Sequence, residues 1–166
     1  MELGLEGRSY VVTGGSRGIG LATARCLVAE GARVVLSSRS VEALEEAERH
    51  LAEVYGAADQ VATLAVDNAD PSAPDALRTA ALDAFGRLDG ALVSVGGPPA
   101  GDVLSVSDEQ WTEAFGSVFL GSLRIARDLG AGLNDGGAIA VVLSSSVRQP
   151  IEGLAVSNGL RPGLAM

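Results

Sequence analysis

The richest chemistry in this chain sits in eight consecutive residues near its start, Thr13-Gly14-Gly15-Ser16-Arg17-Gly18-Ile19-Gly20. Three glycines are spaced as a phosphate-binding turn needs them. Gly14 permits a tight turn, Gly18 lets the backbone approach a pyrophosphate, and Gly20 lets a following helix pack close to a sheet. If a strand enters this run and a helix leaves it, the helix directs unpaired N–H groups and the positive end of its dipole at the phosphates. A second cluster, Ser144-Ser145-Ser146, offers hydroxyls that either face a substrate or cap the next helix. All twelve basic residues are arginine, so no lysine amine is available to any site. His50 falls on the polar face of a charged helix, and with one histidine and one cysteine no transition-metal site is expected.

The elements that must position these residues follow from periodicity. Residues 8–13 form a β-branched run that reaches the glycine cluster, and residues 19–30 show helical spacing that Gly31 closes. Ile19, Ala22, Cys26, Leu27 and Ala29 are the apolar positions of that helix, which makes Cys26 a buried, inert thiol. Strands are expected at 33–37, 61–66, 90–95 and 138–143, and helices at 41–55, 73–85 and 108–129. Strands alternating with helices imply βαβ units and a parallel sheet with right-handed crossovers. The expected fold is therefore α/β, a Rossmann-type doubly wound parallel sheet in three α/β/α layers, forming one domain over residues 1–166. The acidic helical stretch 42–53 reads as a solvated face with helix-spaced ion pairs.

A net charge of -9 argues against nucleic acid or an anionic membrane as the main partner. The first twelve residues lack a basic segment followed by a long apolar one, so no signal peptide is expected. No apolar run approaches about 18 residues, and a single cysteine allows no internal disulfide. These features point to a cytoplasmic protein.

The glycine run resembles the TGxxxGIG signature of the short-chain dehydrogenase/reductase family, and the likeness extends along the whole chain. The resemblance implies a nicotinamide cofactor and carbonyl/alcohol redox chemistry, with 3-oxoacyl reductases among the related activities. An acidic residue ending the second strand would bind the ribose hydroxyls and repel a 2′-phosphate. Here Ser38 and Arg39 stand there, and Arg17 faces the same pocket, so NADP is expected in preference to NAD. Asp67 matches the family's adenine-contacting aspartate, with Asn68 beside it; its other role would be to cap the next turn. Gly96 and Gly97 keep the small residues that pass the adenine ring, although the family's Asn-Asn-Ala-Gly is otherwise replaced.

The catalytic positions depart further. The family's Tyr-x-x-x-Lys pair is absent, and counting onward places Ser157 and Arg161 at those positions. The family's helix asparagine becomes Val118. Ser145 is the best match to the family's serine, with Ser144 next. Arg161 could hold the nicotinamide ribose but cannot donate a proton, and a serine is a much poorer acid than a phenol near pKa 10. Two readings stay open: a divergent subgroup with a Ser-Asn-x-x-Arg-x-Gly pattern that still moves hydride, or a catalytically inactive NADP-binding module or partner subunit. Members of the family are longer, so the chain resembles their first two-thirds, a truncated fragment lacking the C-terminal strands. The fifth strand would then be an exposed apolar edge. The family's long helix (here 108–129) and the helix after the catalytic turn form subunit interfaces, so a homodimer or homotetramer is expected, with a small carbonyl or alcohol as substrate and no nucleic acid or membrane as partner.

Overall fold

The computed structural model describes residues 3–166; Met1 and Glu2, which open the segment read for a signal peptide, lie outside the described residues. Strand β1 (Ser9–Thr13) leads through the glycine turn into α1 (Gly18–Ala29). Then come β2 (Arg33–Ser38), α2 (Val41–Tyr55), β3 (Val61–Ala65), α3 (Ala73–Phe85) and β4 (Gly90–Val93). Helices α4 (Asp108–Ala114) and α5 (Ser122–Gly130) precede β5 (Ala138–Val141), and α6 (Ala155–Ala165) follows it. The sheet order is β3-β2-β1-β4-β5, every pair parallel.

Alternating valines explain the layers. In β1 and β2, Val12, Val34 and Leu36 turn to one face and meet Ala24 and Val28 of α1 and Leu44 and Leu51 of α2. Val11 and Val35 turn to the other, against Leu77 and Ala81 of α3 and Ile125 and Leu129 of α5. The central strands are thus covered on both sides, as a parallel sheet requires. At the lower edge, the Ser9 amide donates to Asp89 Oδ2 (2.9 Å), which also receives Arg87 Nε at 2.6 Å. At the upper edge, Thr13 Oγ1 donates to the Ser94 carbonyl (2.8 Å) and accepts from the Ser94 amide (2.9 Å). Both ends of the β1–β4 pair are pinned by side chains.

Three expectations change. Helix α1 buries Gly20, Ala24 and Val28, not the predicted stripe, and Cys26 is exposed. The i, i+4 row through Gly20 faces the sheet because glycine permits the closest approach there; Ile19, Ala22, Cys26 and Ala29 turn outward. The long helix expected over 108–129 is interrupted by a π-helical stretch, Phe115–Gly121. Its glycines, Gly116 and Gly121, weaken regular helix, and Gly121 packs on the loop after β3, where a Cβ would sit 2.8 Å from the Asn68 carbonyl carbon. Strands β4 and β5 also end at Val93 and Val141, before the expected 95 and 143. Strand β5 is an edge, with Ala138 and Ala140 exposed.

Candidate functional site

The glycine turn builds a cradle at the carboxyl edge of the sheet, where ligands of open α/β sheets bind. Gly14 has φ +58° and lies so close to β4 that an added Cβ would stand 2.7 Å from the Ser94 carbonyl oxygen. Gly20 lies against the turn itself: a Cβ would overlap the Gly14 carbonyl oxygen and lie 2.8 Å from its carbon. Gly18, with φ +56°, has nothing within 4 Å on its Cβ side. The three glycines do different work: two allow contact between backbones, and the third leaves space. Arg17 caps α1 with extended backbone and no side-chain bond, and the first turn carries no acid. The leading N–H groups therefore remain available to an anion. Ser16 is half-buried in this loop, Arg17 is exposed, and Ile19 is 62% exposed at its mouth.

Beside the cradle, Ser38 Oγ donates to the Ser40 carbonyl at 3.1 Å, and Arg39 is exposed. Among the described residues neither Arg17 nor Arg39 joins an ion pair. Asp67 Oδ1 accepts from the Ala69 amide at 2.9 Å, which is the turn-capping role, on an exposed side chain. Asn68 is half-buried under Gly121. Gly96 and Gly97 are exposed, and an added Cβ at either would meet nothing within 4 Å. His50 lies on α2, away from this edge, and no group of three metal-ligating side chains occurs among the described residues.

The candidate catalytic residues lie where β5 gives way to the helical turn Ser145–Val147 and α6. Ser144 Oγ accepts from the Ser146 amide at 3.1 Å, which starts that turn. The turn leaves Ser145 exposed and drives Ser146 inward, to 3% exposure. Ser146 Oγ lies 3.1 Å from Ser157 Oγ, itself 4% exposed. The structure thus places Ser146, and not the predicted Ser145 or Ser144, against Ser157. A run of three serines gives no sign of which one a helical turn buries, so the sequence pattern alone could not separate them.

Arg161 follows Ser157 by one helical turn, on the same face of α6. It is 6% exposed, and its Nη1 donates to the Val142 carbonyl at 2.8 Å. No carboxylate pairs with it among the described residues, and burial pulls its pKa below the ordinary arginine value. Val118 is buried in the π-helical stretch and offers no polar atom. Thus a buried hydroxyl pair stands one turn from a buried cation, with no phenol nearby: Tyr10 lies in β1 and Tyr55 ends α2.

A parallel doubly wound sheet with this cradle defines a Rossmann-type dinucleotide-binding protein. Residues 8–156 match the family pattern described as short chain dehydrogenase, and the chain belongs to the short-chain dehydrogenase/reductase family. It is 34% identical over 142 residues to a probable oxidoreductase of Streptomyces antibioticus, covering 86% of this chain and 46% of that protein. L-Sorbose reductase from Gluconobacter frateurii, solved with NADPH and L-sorbose, superposes with a TM-score of 0.90 at 33% identity, covering 99% of this chain and 62% of that one. An NADPH-bound short chain oxidoreductase from Pseudomonas aeruginosa PAO1, described as containing an atypical catalytic center, gives a TM-score of 0.88 at 28% identity, covering 95% and 62%. The chain spans about half the length of the curated relatives it matches. No helix among the described residues is long and apolar enough to cross a membrane.

Proposed function

We propose that this chain acts as one NADP-binding domain, over residues 1–166, of an oxidoreductase that moves hydride between a nicotinamide cofactor and a carbonyl or alcohol substrate. The observation that carries this reading is the uncapped head of α1 above the Gly14–Gly18–Gly20 turn, flanked by two arginines that join no ion pair among the described residues. The α1 N–H groups suit the pyrophosphate, and Arg17 and Arg39 suit a 2′-phosphate through charge-assisted bonds. Asp67, Asn68, Gly96 and Gly97 border the adenosine end. Among solved relatives, the L-sorbose reductase and the atypical Pseudomonas enzyme were both crystallised with NADPH, which supports the same choice here.

NADPH, when bound, supplies the hydride that reaches the carbonyl carbon. The residues of this chain handle the oxygen. Ser157 donates a hydrogen bond to it, and Ser146 donates in turn to Ser157, so that each bond polarises the next. Arg161 provides fixed positive charge as the oxygen becomes anionic. The proton passes from Ser157 to the oxygen and from Ser146 to Ser157, and Ser146 regains one from bulk solvent, which supplies the single H+ that carbonyl reduction consumes. Carbon has then gained the hydride and oxygen the proton, with both serines restored. Ser144 sets the turn that aims Ser146.

A second reading is favoured by one observation: a serine stands where the family keeps its phenol. It makes the chain an NADP-binding subunit without turnover. Titration with NADPH and NADH, followed by nicotinamide fluorescence, tests what both readings share: NADPH should bind at least about tenfold tighter than NADH. Oxidation of NADPH by a panel of ketones then separates them. Failure to bind either dinucleotide would sink both. Exposed Phe115 and Leu123 on the α4–α5 flank support self-association as a homodimer or homotetramer, which sedimentation would check, and the proposed setting is cytoplasmic.

A further inference from the structure

Two loops rise from the carboxyl edge of the sheet beside the serine pair, one after β4 and one after β5. They are joined to each other. The Gly101 amide donates to the Gly153 carbonyl (2.6 Å), and the Ala155 amide donates to the Gly101 carbonyl (2.9 Å). This two-bond bridge is short, and bridges of that size do not hold in water without support. The support comes from α6. The side-chain amide of Asn158 meets the backbone of Ile151 twice: its Oδ1 accepts from the Ile151 amide at 3.0 Å, and its Nδ2 donates to the Ile151 carbonyl at 2.8 Å.

The far end of the β4 loop is anchored separately. Val106 is buried with Ala114 and Val156, and Trp111 and Leu160 pack on them. Asp102 holds the tip of the loop, accepting from the Leu104 and Ser105 amides at 3.0 and 2.9 Å. Each loop is therefore fixed at its base by apolar packing or sheet. The bridge joins the two loops at their outer ends, where the Asn158 clamp supports it, while the Val106–Val156 contact joins them deeper, at the start of α6.

We propose that Asn158 is a positioning residue whose carboxamide locks the loop at 148–154 to α6 and, through the Gly101–Gly153 bridge, fixes the rim of the substrate crevice. That the rim receives substrate rests on the function proposed above; the lock itself does not. Both bonds need an amide. Asn158→Asp keeps the acceptor for the Ile151 N–H, but at neutral pH it sets a carboxylate oxygen against the Ile151 carbonyl. Asn158→Ala removes both bonds. Neither change touches the Ser146–Ser157 pair or the cradle.

Native-state amide hydrogen exchange of the purified chain gives the direct test, with the β1 amides as the control for folding. In Asn158→Ala, protection of both the Ile151 and the Gly101 amides should fall by about tenfold or more while β1 is unchanged. In Asn158→Asp, protection of Ile151 should be partly kept at neutral pH and should recover as the carboxyl is protonated. A kinetic readout uses NADPH with cyclohexanone: KM should rise by about three- to tenfold in Asn158→Ala with kcat within about twofold. Unchanged exchange at Ile151, or loss at Ile151 without loss at Gly101, overturns the lock. A fall in kcat with KM unchanged overturns the positioning of substrate. If the parent chain binds NADPH yet oxidises none, the enzyme reading fails, and the exchange result still decides the lock.

Discussion

Replacing Gly20 by alanine tests the cradle at its tightest point. Two effects oppose. Gly20 lies in α1 with ordinary helical backbone, so alanine gains about 1 kcal/mol of helix propensity. Against this, the new methyl meets backbone and not a movable side chain: the Gly14 carbonyl carbon at 2.8 Å and the Gly15 Cα at 3.2 Å. Overpacking of this kind costs about 1–3 kcal/mol. Because the methyl meets backbone of both Gly14 and Gly15, the upper end of that range applies, and the clash wins by about 2 kcal/mol, which for a chain of this size lowers Tm by roughly 4–8 °C. To relieve it, α1 must retreat from the turn, which displaces the N–H groups meant for phosphate, so NADPH affinity falls as well. Gly97→Ala is the counterpart. It has ordinary backbone and nothing within 4 Å, so stability should hold or rise by up to about 1 kcal/mol while NADPH binding weakens. Thermal unfolding and fluorescence titration of both variants give the answer. A Gly20→Ala chain with the parent's Tm would refute the packing argument; a Gly97→Ala chain with the parent's affinity would remove Gly97 from the cofactor's path.

Three further outcomes are expected. Arg39→Ala should weaken NADPH by about tenfold and NADH by less than threefold, a gap that narrows at high salt as exposed charges are screened; equal losses for both dinucleotides would contradict the 2′-phosphate assignment. Asp89 is held at about 2, first by the Arg87 guanidinium and also by the Ser9 amide and Asn134. Because its pKa is depressed from an unfolded value near 3.9, its contribution is complete above that value and is lost as pH falls toward 2, which amounts to roughly 2.5 kcal/mol. Asp89→Asn should therefore lower stability at pH 7 and flatten the acid limb of the unfolding curve, and an acid limb identical to the parent's would count against it. Cys26, exposed on α1, should react with a thiol reagent in the folded chain at close to one equivalent; protection until unfolding would restore the buried reading.

The parts of the fold legible in the sequence are those set by local chemistry. The limits expected for α2 and α3 agree with the structure because a capping serine (Ser40) or a proline in the first turn (Pro74) starts each helix and a left-handed glycine (Gly56, Gly86) ends it. The glycine turn is legible for the same reason: backbone contacts require Gly14 and Gly20, and a positive φ requires Gly18. What escaped depends on partners distant in sequence. The buried face of α1 was misjudged because Cys26 and Ala22 look as apolar as Ala24 and Val28. Only the approach of Gly20 to Gly14 decides which row faces the sheet. The π-helical stretch is hidden because Gly121 answers to Asn68, far earlier in the chain. The Ser146–Ser157 contact is not legible in the sequence because it joins two separate elements.

The exchange of lysine for arginine at position 161 follows from its surroundings. The side chain is 6% exposed and, among the described residues, has one hydrogen-bond partner, the neutral Val142 carbonyl. A lysine desolvated to that degree, without a carboxylate, would lose much of its preference for the charged form and could become neutral near physiological pH. Arginine keeps its charge because its pKa starts above about 12. A fixed cation cannot serve as an acid, but one helical turn from Ser157 it keeps its charge at any working pH. A hydroxyl pair that lacks a phenol's acidity gains most from such a charge, since the field stabilises negative charge on the oxygen before the proton arrives. On the function proposed above, Ser146, Ser157 and Arg161 would act as one electrostatic unit. Arg161→Lys should keep the fold yet make any turnover pH-dependent, falling as pH rises through the lysine's depressed pKa, whereas a flat profile would show that the charge at this position does not act on the serines.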